Sequence, residues 1–180
     1  LGLLFDDWME AHLYNAYVVA ATLIIYGVLF IVLENSSITA NPSITKVGHV
    51  STKTALFIGL FQLLSLVPGT SRSGSTILGA MVLGCSRGVA AEFSFFLGIP
   101  VMFGASFLKL VKFFVKGNVL TGPQIFYTIL GMAIAFGVSV YSIQFLMGYV
   151  RRHDFKFFGY YRIILGVVVL AYFGITALAA

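Results

Sequence analysis

The spacing between charged residues constrains this chain more than any other feature of its sequence. Glu10 and Glu34 enclose 23 residues that include no Asp, Glu, Lys or Arg, and the stretch 16–33 is almost wholly apolar. A helix needs about 20 predominantly apolar residues to cross the hydrocarbon core of a bilayer. This stretch therefore predicts a transmembrane helix near 14–33.

Three further uncharged stretches predict spans near 89–108, 124–149 and 160–180. Only 9% of the residues are charged and 59% are hydrophobic, whereas a soluble domain is about 25% charged. The composition excludes a soluble enzyme. The net charge of +5 fits basic residues that flank membrane spans better than a nucleic-acid surface. We expect an all-α integral membrane protein, a single transmembrane domain over 1–180, with membrane lipid and no nucleic acid as its partner.

The region 52–86 follows a different pattern. Lys53 and Pro68 enclose 14 uncharged residues, and Arg72 and Arg87 enclose another 14. Each run is too short to cross a bilayer, and the sequence PGTSRSG between them breaks a continuous helix. These features predict a re-entrant helical hairpin, because a non-helical turn at membrane depth persists only where protein or a cavity surrounds it. One long, broken span is the alternative.

The turn of this hairpin, residues 68–76, contains five hydroxyl residues, two glycines and one arginine. An arginine at the bilayer centre costs about 2.5–3.5 kcal/mol on insertion scales, which a bound anion would offset. Glycines allow close backbone approach, the first N–H groups of a helix attract anions, and a guanidinium binds phosphate through two hydrogen bonds. The turn therefore predicts a phosphate site at membrane depth. The candidate ligand-binding residues of this site are Gly69, Thr70, Ser71, Arg72, Ser73, Gly74 and Thr76.

Several side chains also have structural explanations. Ser, Thr and Gly pack membrane helices against one another, and Arg72 could pair with Glu92 instead of a ligand. Glu92 is a candidate supporting partner of Arg72 or a simple helix N-terminal acid, and Gln62 could bond either the turn or the nearby backbone. Arg87 is interpreted as a cation at the C-terminus of the second half-helix. Arg162 is interpreted as an interfacial anchor, and a structural role for it stays open.

The motif carrying the turn resembles a known family. The residues that carry the likeness are Pro68 to Gly74 (PGTSRSG), 58–62 (IGLFQ), 92–95 (EFSF) and Ile99-Pro100. This pattern resembles the bacterial undecaprenyl-pyrophosphate phosphatases, the bacitracin-resistance proteins. The resemblance implies hydrolysis of the lipid pyrophosphate to the monophosphate, which recycles the lipid carrier of cell-wall synthesis. It also implies an inverted repeat of transmembrane helices, the bacterial cytoplasmic (inner) membrane and an active site on the extracytoplasmic side.

The resemblance assigns roles to individual residues and to a divalent cation, Mg²⁺ or Ca²⁺. Arg72 would clamp the pyrophosphate, while Ser71, Ser73 and Thr76 would hydrogen-bond its oxygens. The resemblance thus implies catalysis by Arg72, Ser71 and Ser73. It implies substrate binding by Gly69, Thr70, Gly74 and Thr76. The family's other motif, a pair of glutamates four residues apart followed by Ser-Ser-Thr-Gly-His, does not occur in this sequence. We therefore expect that the chain is about the C-terminal two-thirds of such an enzyme, and that the metal ligands and the nucleophile lie outside it. A transporter or flippase for a phosphorylated lipid or anion is the alternative, because broken half-helices also bind anions in transporters.

The distribution of basic residues gives two conflicting signals about orientation. The loop 151–156 (RRHDFK) is the densest basic cluster, and the positive-inside rule places such a loop in the cytoplasm. Lys109, Lys112 and Lys116 lie at the opposite end of one predicted span and favour the reverse. The sequence thus leaves the orientation open.

Overall fold

The described structure, a computed structural model, covers residues 12–150 and 152–179. Within these residues all regular elements are helical, and only one isolated β-bridge, Ile44 with Cys85, occurs. The expectation of an all-α protein is therefore confirmed. The helices are α1 (Ala16–Glu34), α2 (Ser37–Ala40), α3 (Thr52–Leu63), α4 (Arg72–Val82), α5 (Arg87–Val115), α6 (Gly122–Val150) and α7 (Lys156–Ala179), with 3₁₀ turns at Val47–His49 and Leu64–Leu66.

Four of these helices, α1, α5, α6 and α7, are long and apolar enough to cross a membrane. The protein is thus a multi-pass membrane protein. α5 extends seven residues beyond the predicted limit at 108 and contains Pro100, Lys109 and Lys112. Lysines near a helix end need not terminate it, because their long side chains can carry the charge toward the membrane surface.

Helices α1 and α7 form the tightest helix pair, and glycines make their close approach possible. An added Cβ on Gly159 of α7 would lie 2.8 Å from the carbonyl oxygen of Gly27 on α1, and one on Gly166 would lie 2.9 Å from that of Ala20. The contacts pair an early residue of α7 with a late residue of α1, so the two helices run antiparallel. Small residues that let backbones approach are typical of helix interfaces in membranes.

Helices α3 and α4 form a helical hairpin whose two ends lie together. Phe61 of α3 packs on Gly79 of α4. Beyond α4, Ile44 accepts a backbone hydrogen bond from Ser86 (2.8 Å) and donates one to Gly84 (3.0 Å), so the segment that precedes α3 lies beside the segment that follows α4. The hairpin thus starts and ends at the same end of the molecule. Its insertion into the membrane as a re-entrant element stays a prediction, as does the inverted repeat.

Arg87 corrects one sequence interpretation. α4 already ends at Val82, and Arg87 is the first residue of α5, where a cation is unfavourable with respect to the helix dipole. Its guanidinium instead binds Glu34 at the end of α1, with Nε to carboxylate oxygen distances of 2.9 Å. The Glu34 side chain is fully buried, and it also accepts the backbone N–H of Phe155 at 2.8 Å. Because the carboxylate satisfies both groups, it joins α1, α5 and the segment before α7.

Candidate active site at the hydroxyl-arginine turn

The turn between α3 and α4 has an unusual backbone. Gly69 has φ +83°, and Ser71, with φ +67°, is the only residue other than glycine with a positive φ among the residues described. Ser71 is the N-cap of α4, and its Oγ accepts the N–H of Gly74 at 3.3 Å. A left-handed serine is a costly conformation that persists only where its surroundings hold it, and such positions occur often at functional sites.

Three consecutive carbonyl groups show what holds the turn in place. The Thr22 hydroxyl on α1 lies 2.7 Å from the carbonyl oxygen of Pro68. Arg162 on α7 donates from Nη2 to the carbonyl oxygens of Gly69 (2.7 Å) and Thr70 (3.0 Å). The α1–α7 pair therefore binds the carbonyl side of the turn.

The turn lies within the length of α1 rather than beyond its end. At 1.5 Å per residue, Thr22 is about 9 Å along the helix from Ala16 and about 18 Å from Glu34. If α1 crosses the bilayer, the turn bonded to Thr22 lies inside it. The re-entrant insertion of the hairpin stays a prediction.

The other side of the turn presents hydrogen-bond donors to a pocket. At a helix start the first N–H groups have no partner within the helix, and here the first such bond of α4 runs from Ser75 N–H to Ser71. A cavity of about 240 Å³, here called the serine pocket, opens beside these groups, and its lining includes Ser71, Ser73, Gly74 and Arg162. Arg162 Nε is buried without a hydrogen-bond partner. Because N–H groups, hydroxyls and a guanidinium converge here, this end of the pocket suits an anion.

Arg72 lies on a different side of α4 from the serines. Its guanidinium packs on Gly98 of α5, where an added Cβ would lie 2.5 Å from Nη2. It lines a separate cavity of about 370 Å³ together with Glu92 and Phe95. Successive residues of a helix point about 100° apart because there are 3.6 residues per turn, so Arg72 and Ser73 face different cavities. Of the two arginines near the turn, the structure brings Arg162 and not Arg72 together with Ser71 and Ser73.

The structure also excludes the ion pair proposed for Arg72. No hydrogen bond or ion pair links its guanidinium to Glu92 or to any other residue in the described part of the chain, and Arg72 Nη1 is buried without a partner. An unpaired polar atom is rare in a protein interior. Arg72 is thus a half-buried cation with one buried guanidinium nitrogen that the described residues leave available to a ligand.

The remaining candidate residues take structural positions. The Thr76 side chain is fully buried, and its hydroxyl lies 2.5 Å from Ser94 Oγ on α5 and 3.1 Å from the carbonyl oxygen of Arg72. It joins α4 to α5, and its role in bonding substrate oxygens stays a prediction. Thr70 is buried and contributes its carbonyl to Arg162. Gln62 Oε1 is buried without a partner, so it does not bond the turn.

Arg162 has a structural role, which the sequence left open beside that of an interfacial anchor. Its side chain extends to the turn, and its Cζ lies 5.7 Å from the ring centre of Tyr26. A signal was present: Arg162 is the only charged residue between Lys156 and the end of the sequence, at Ala180. A lone arginine within a membrane span is expected to have a specific partner.

The described residues do not form a cation-binding cluster. No group of three His, Cys, Asp or Glu side chains comes together in the part of the chain that the structure describes. Protein-built sites for Mg²⁺ or Ca²⁺ use carboxylate and carbonyl oxygens, and the lining of the serine pocket includes no carboxylate side chain. The described residues therefore do not fit a divalent cation at the turn.

Comparison with known proteins gives a consistent result. The family model described as bacitracin resistance protein BacA matches residues 1–168. A Streptococcus mutans protein named undecaprenyl-diphosphatase is 56% identical over 172 residues, which cover 96% of this chain and 61% of that protein. A Lactobacillus delbrueckii subsp. bulgaricus protein of the same name is 58% identical over 169 residues, 94% of this chain and 62% of that protein. The chain thus spans about three-fifths of the length of these relatives.

Proposed function

The chain belongs to the bacitracin resistance protein BacA family, and we propose that it forms the head-group site of a membrane enzyme that hydrolyses undecaprenyl diphosphate. The products are undecaprenyl phosphate and inorganic phosphate. The relatives named undecaprenyl-diphosphatase support hydrolysis over transport. The single observation that carries the proposal is the serine pocket, in which Ser71, Ser73 and Arg162 form a cationic, hydrogen-bonding end.

The turn binds one side of the diphosphate. The N–H groups at the start of α4 and the hydroxyls of Ser71 and Ser73 donate hydrogen bonds to phosphate oxygens, and the helix dipole favours the negative charge. The unpartnered Nε of Arg162 donates from the same side. Since two carbonyls of the turn fix Nη2 of Arg162, these donors are oriented before the substrate binds.

Arg72 binds the opposite side of the diphosphate, across the N-terminus of α4. Its buried Nη1 has no partner in the protein, so a phosphate oxygen would satisfy it. Two guanidiniums on either side of the head group would stabilise the charge that develops on the bridging and terminal oxygens as the P–O–P bond breaks. Arg72 is thus assigned to catalysis, and Ser71 and Ser73 to hydrogen bonding.

The serines are not assigned as nucleophiles. A serine hydroxyl needs an adjacent base to attack phosphorus, and no His, Asp or Glu is among the described residues that line its pocket. We assign the attack on the terminal phosphorus to water, with release of phosphate and retention of the second phosphate on the lipid. A divalent cation stays a prediction from the family, and no step is assigned to it here.

The location of the site is also part of the proposal. We place the protein in the bacterial cytoplasmic membrane with the serine pocket accessible from the extracytoplasmic side. Thr22, which bonds the turn, is nearer to Ala16 than to Glu34 along α1. The Glu34 end carries more basic residues, which favours its placement in the cytoplasm.

Phosphate release by the intact protein with a lipid diphosphate as substrate tests the proposal. We expect Arg72→Ala to lower the rate more than a hundredfold, and Arg72→Lys to recover little because one ammonium does not reproduce the planar guanidinium. Ser73→Ala should lower the rate about a hundredfold, in line with the loss of one oriented donor. The exposed Arg152→Ala is the matched control and should stay within twofold of the unmodified protein.

The stability of the Arg72 variants distinguishes a lost ligand contact from a lost fold. Arg72 bonds no described residue, so Arg72→Ala should unfold within a few degrees of the unmodified protein in detergent. A variant that keeps its fold and retains near-normal phosphate release would refute the assignment of Arg72. Absence of phosphate release from any lipid diphosphate by the unmodified intact protein would refute the function itself.

A further inference from the structure

Glu92 on α5 lines two separate cavities. One is the cavity of about 370 Å³ that Arg72 also lines, here called the Arg72 cavity. The other, here called the polar cavity, has a volume of about 500 Å³ and lies at the Glu34 end of the molecule beside Lys46 and Arg87. We infer that Glu92 is a proton relay, which takes the proton that hydrolysis releases in the Arg72 cavity and passes it to water in the polar cavity. The inference rests on the proposed function and adds to it the route by which the proton leaves.

The order of residues along α5 places Glu92 between the two cavities. The α5 residues that line the polar cavity lie between 87 and 92, and those that line the Arg72 cavity lie between 92 and 102. At 1.5 Å per residue, Glu92 is about 7.5 Å along the helix from Arg87, and Gly98, on which the Arg72 guanidinium packs, is about 9 Å further. Of the residues described, only Glu92 lines both cavities.

The carboxylate of Glu92 is free to gain and lose a proton. It forms no hydrogen bond or ion pair with any residue in the part of the chain that the structure describes. Glu34 differs, because its buried carboxylate is held by Arg87 and by the backbone N–H of Phe155. Ionisable side chains within membrane spans are rare and often belong to proton relays. Protonation of Glu92 thus breaks no contact that supports the fold.

Both cavities have polar groups that can bind the water through which a proton moves. The lining of the polar cavity includes the hydroxyl side chains of Thr39, Thr45 and Ser86, and a buried water needs two to four such partners. In the Arg72 cavity the polar side chains of the lining are Arg72 and Glu92. A short chain of water in this cavity therefore has a charged group at each end.

The proposed reaction supplies the proton in mildly alkaline water. The oxygen of the attacking water forms a bond to the terminal phosphorus, the bond from this phosphorus to the bridging oxygen breaks, and its electron pair stays on the phosphate of the lipid. One proton of the attacking water passes through water to the Glu92 carboxylate, and the other stays on the released phosphate. Glu92 then gives its proton to water in the polar cavity and is again a carboxylate.

The charged groups that face Glu92 come from three parts of the chain. They are Arg72 on α4, Arg87 on α5 itself and Lys46 in the segment before α3. Helix α6 contributes the uncharged side chains of residues 143, 147 and 150 to the same two cavities. Glu92 is therefore the proton acceptor that the described lining of these cavities offers.

Proton release in proteoliposomes tests the relay. The intact protein is reconstituted with a pH-sensitive dye in a weakly buffered lumen, and farnesyl diphosphate, a water-soluble prenyl diphosphate, is added to a strongly buffered outer solution. Molecules whose serine pocket faces outward have their Glu34 end in the lumen, so the lumen should acidify in proportion to the phosphate released outside. Phosphate release without acidification of the lumen would overturn the relay and leave the proposed function intact. Absence of phosphate release would refute the proposed function and the relay together.

Variants of two carboxylates distinguish Glu92 from acidic residues in general. Glu92→Gln should lower the acidification per phosphate released by about tenfold or more, because an amide does not carry a proton between the cavities. Glu92→Asp should retain most of it. Asp154→Asn is the matched control, because Asp154 is a partly exposed carboxylate that lines neither cavity, and it should acidify the lumen as the unmodified protein does. Equal acidification per phosphate in Glu92→Gln and the unmodified protein would overturn the inference.

Cysteine labelling tests the route without hydrolysis, and it decides the inference even where Glu92→Gln releases no phosphate. Glu92→Cys should react with a membrane-impermeant methanethiosulfonate from the same side of the membrane as Gly48→Cys, which lies in the exposed turn Val47–His49. Phe96→Cys, about one turn further along α5, lines only the Arg72 cavity and should react far more slowly from that side. No reaction of Glu92→Cys from the Gly48 side would show that the polar cavity does not reach it. Equal rates at both positions would show an open path that needs no relay, and either result would overturn the inference.

Discussion

Arg162 Nη2 lies 2.7 Å from the carbonyl oxygen of Gly69, although 93 residues separate them in the sequence. The same nitrogen reaches the carbonyl oxygen of Thr70 at 3.0 Å. A single side chain on the last described helix thus holds two peptide groups of the turn that carries the serines. Since Ser71 directly follows these peptides with φ +67°, the hydrogen bonds from α7 stabilise the conformation that the site requires.

Removal of this side chain should disturb both the stability and the binding of the protein. Arg162→Met leaves two carbonyl groups of the turn without their donor, and we expect a cost of about 2–4 kcal/mol from two charge-assisted hydrogen bonds. Inorganic pyrophosphate affinity should fall at least tenfold. Arg162→Lys should recover part of the stability, because an ammonium can bond one carbonyl, and less of the affinity. Thermal unfolding in detergent and isothermal titration measure the two effects. If Arg162→Met unfolds at the same temperature as the unmodified protein, the stabilising role of Arg162 is contradicted.

The Glu34–Arg87 ion pair should contribute more to stability than a surface pair. Glu34 is fully buried, while the Arg87 side chain is 38% exposed and can regain water when its partner is lost. Removing one member of a fully buried pair costs 3–5 kcal/mol, so Glu34→Gln should cost less, about 2–3 kcal/mol. Asp154→Asn is the matched control, because Asp154 and Lys156 are both partly exposed and 3.7 Å apart. Asp154→Asn should lower the free energy of unfolding by less than about 1 kcal/mol. A denaturant titration measures both variants. Equal losses of unfolding free energy in Glu34→Gln and Asp154→Asn would show that the buried pair contributes no more than a surface pair.

The sequence predicted those parts of the fold that depend on local composition. Charge-free stretches of sufficient length marked the spanning helices, and Pro68 with Gly69 marked the break between α3 and α4. Each of these signals lies within one contiguous stretch of sequence, because a helix in a bilayer is defined by its own run of apolar residues. The all-α membrane fold and the family are therefore confirmed, whereas the re-entrant insertion and the site residues remain predictions.

The sequence could not predict which side chains meet across helices. Arg72 and Ser73 are neighbours in the motif, but the helical rotation between them directs them to different cavities. Arg162 and Arg87 find partners 93 and 53 residues away, and both were assigned to membrane or dipole contacts. Such contacts depend on the packing of α1 against α7 and α5, which no local pattern encodes.

Glycine spacing at the α1–α7 interface should control the position of the turn. An added Cβ on Gly159 would lie 2.8 Å from the carbonyl oxygen of Gly27 and 2.8 Å from Ile31 Cγ1, so Gly159→Ala must push the helices apart at a cost of about 1–3 kcal/mol. Gly174 lies on the same helix with nothing within 4 Å of its Cβ position. Gly174→Ala should be neutral or slightly stabilising, because alanine favours a helix. The unfolding temperatures of Gly159→Ala and Gly174→Ala test this difference in stability. If both variants are equally stable, the close packing of α1 and α7 is not needed.

The orientation of the protein can be tested with single cysteines at its two ends. The Glu34 end carries Lys46, Lys53, Arg87, Arg152 and Lys156, whereas the other end of α5 carries Lys109, Lys112 and Lys116. The larger basic group favours the cytoplasm for the Glu34 end. In intact cells, a membrane-impermeant maleimide should therefore label Val119→Cys, between α5 and α6, and should label Gly48→Cys only after permeabilisation. The reverse pattern would place the Glu34 end outside.

The native cysteine should not interfere with this labelling. Cys85 is a buried residue of the segment between α4 and α5, and burial raises the pKa of its thiol above the ordinary value. Maleimide reacts with the thiolate, and a raised pKa keeps the Cys85 thiol protonated at a pH at which an exposed thiol already ionises. Between pH 7 and 9 the labelling rate of Val119→Cys should rise steeply while Cys85 stays unlabelled. Denaturation should expose Cys85, lower its pKa to the ordinary range and make its labelling fast. Rapid labelling of Cys85 in the folded protein at pH 7 would contradict its burial.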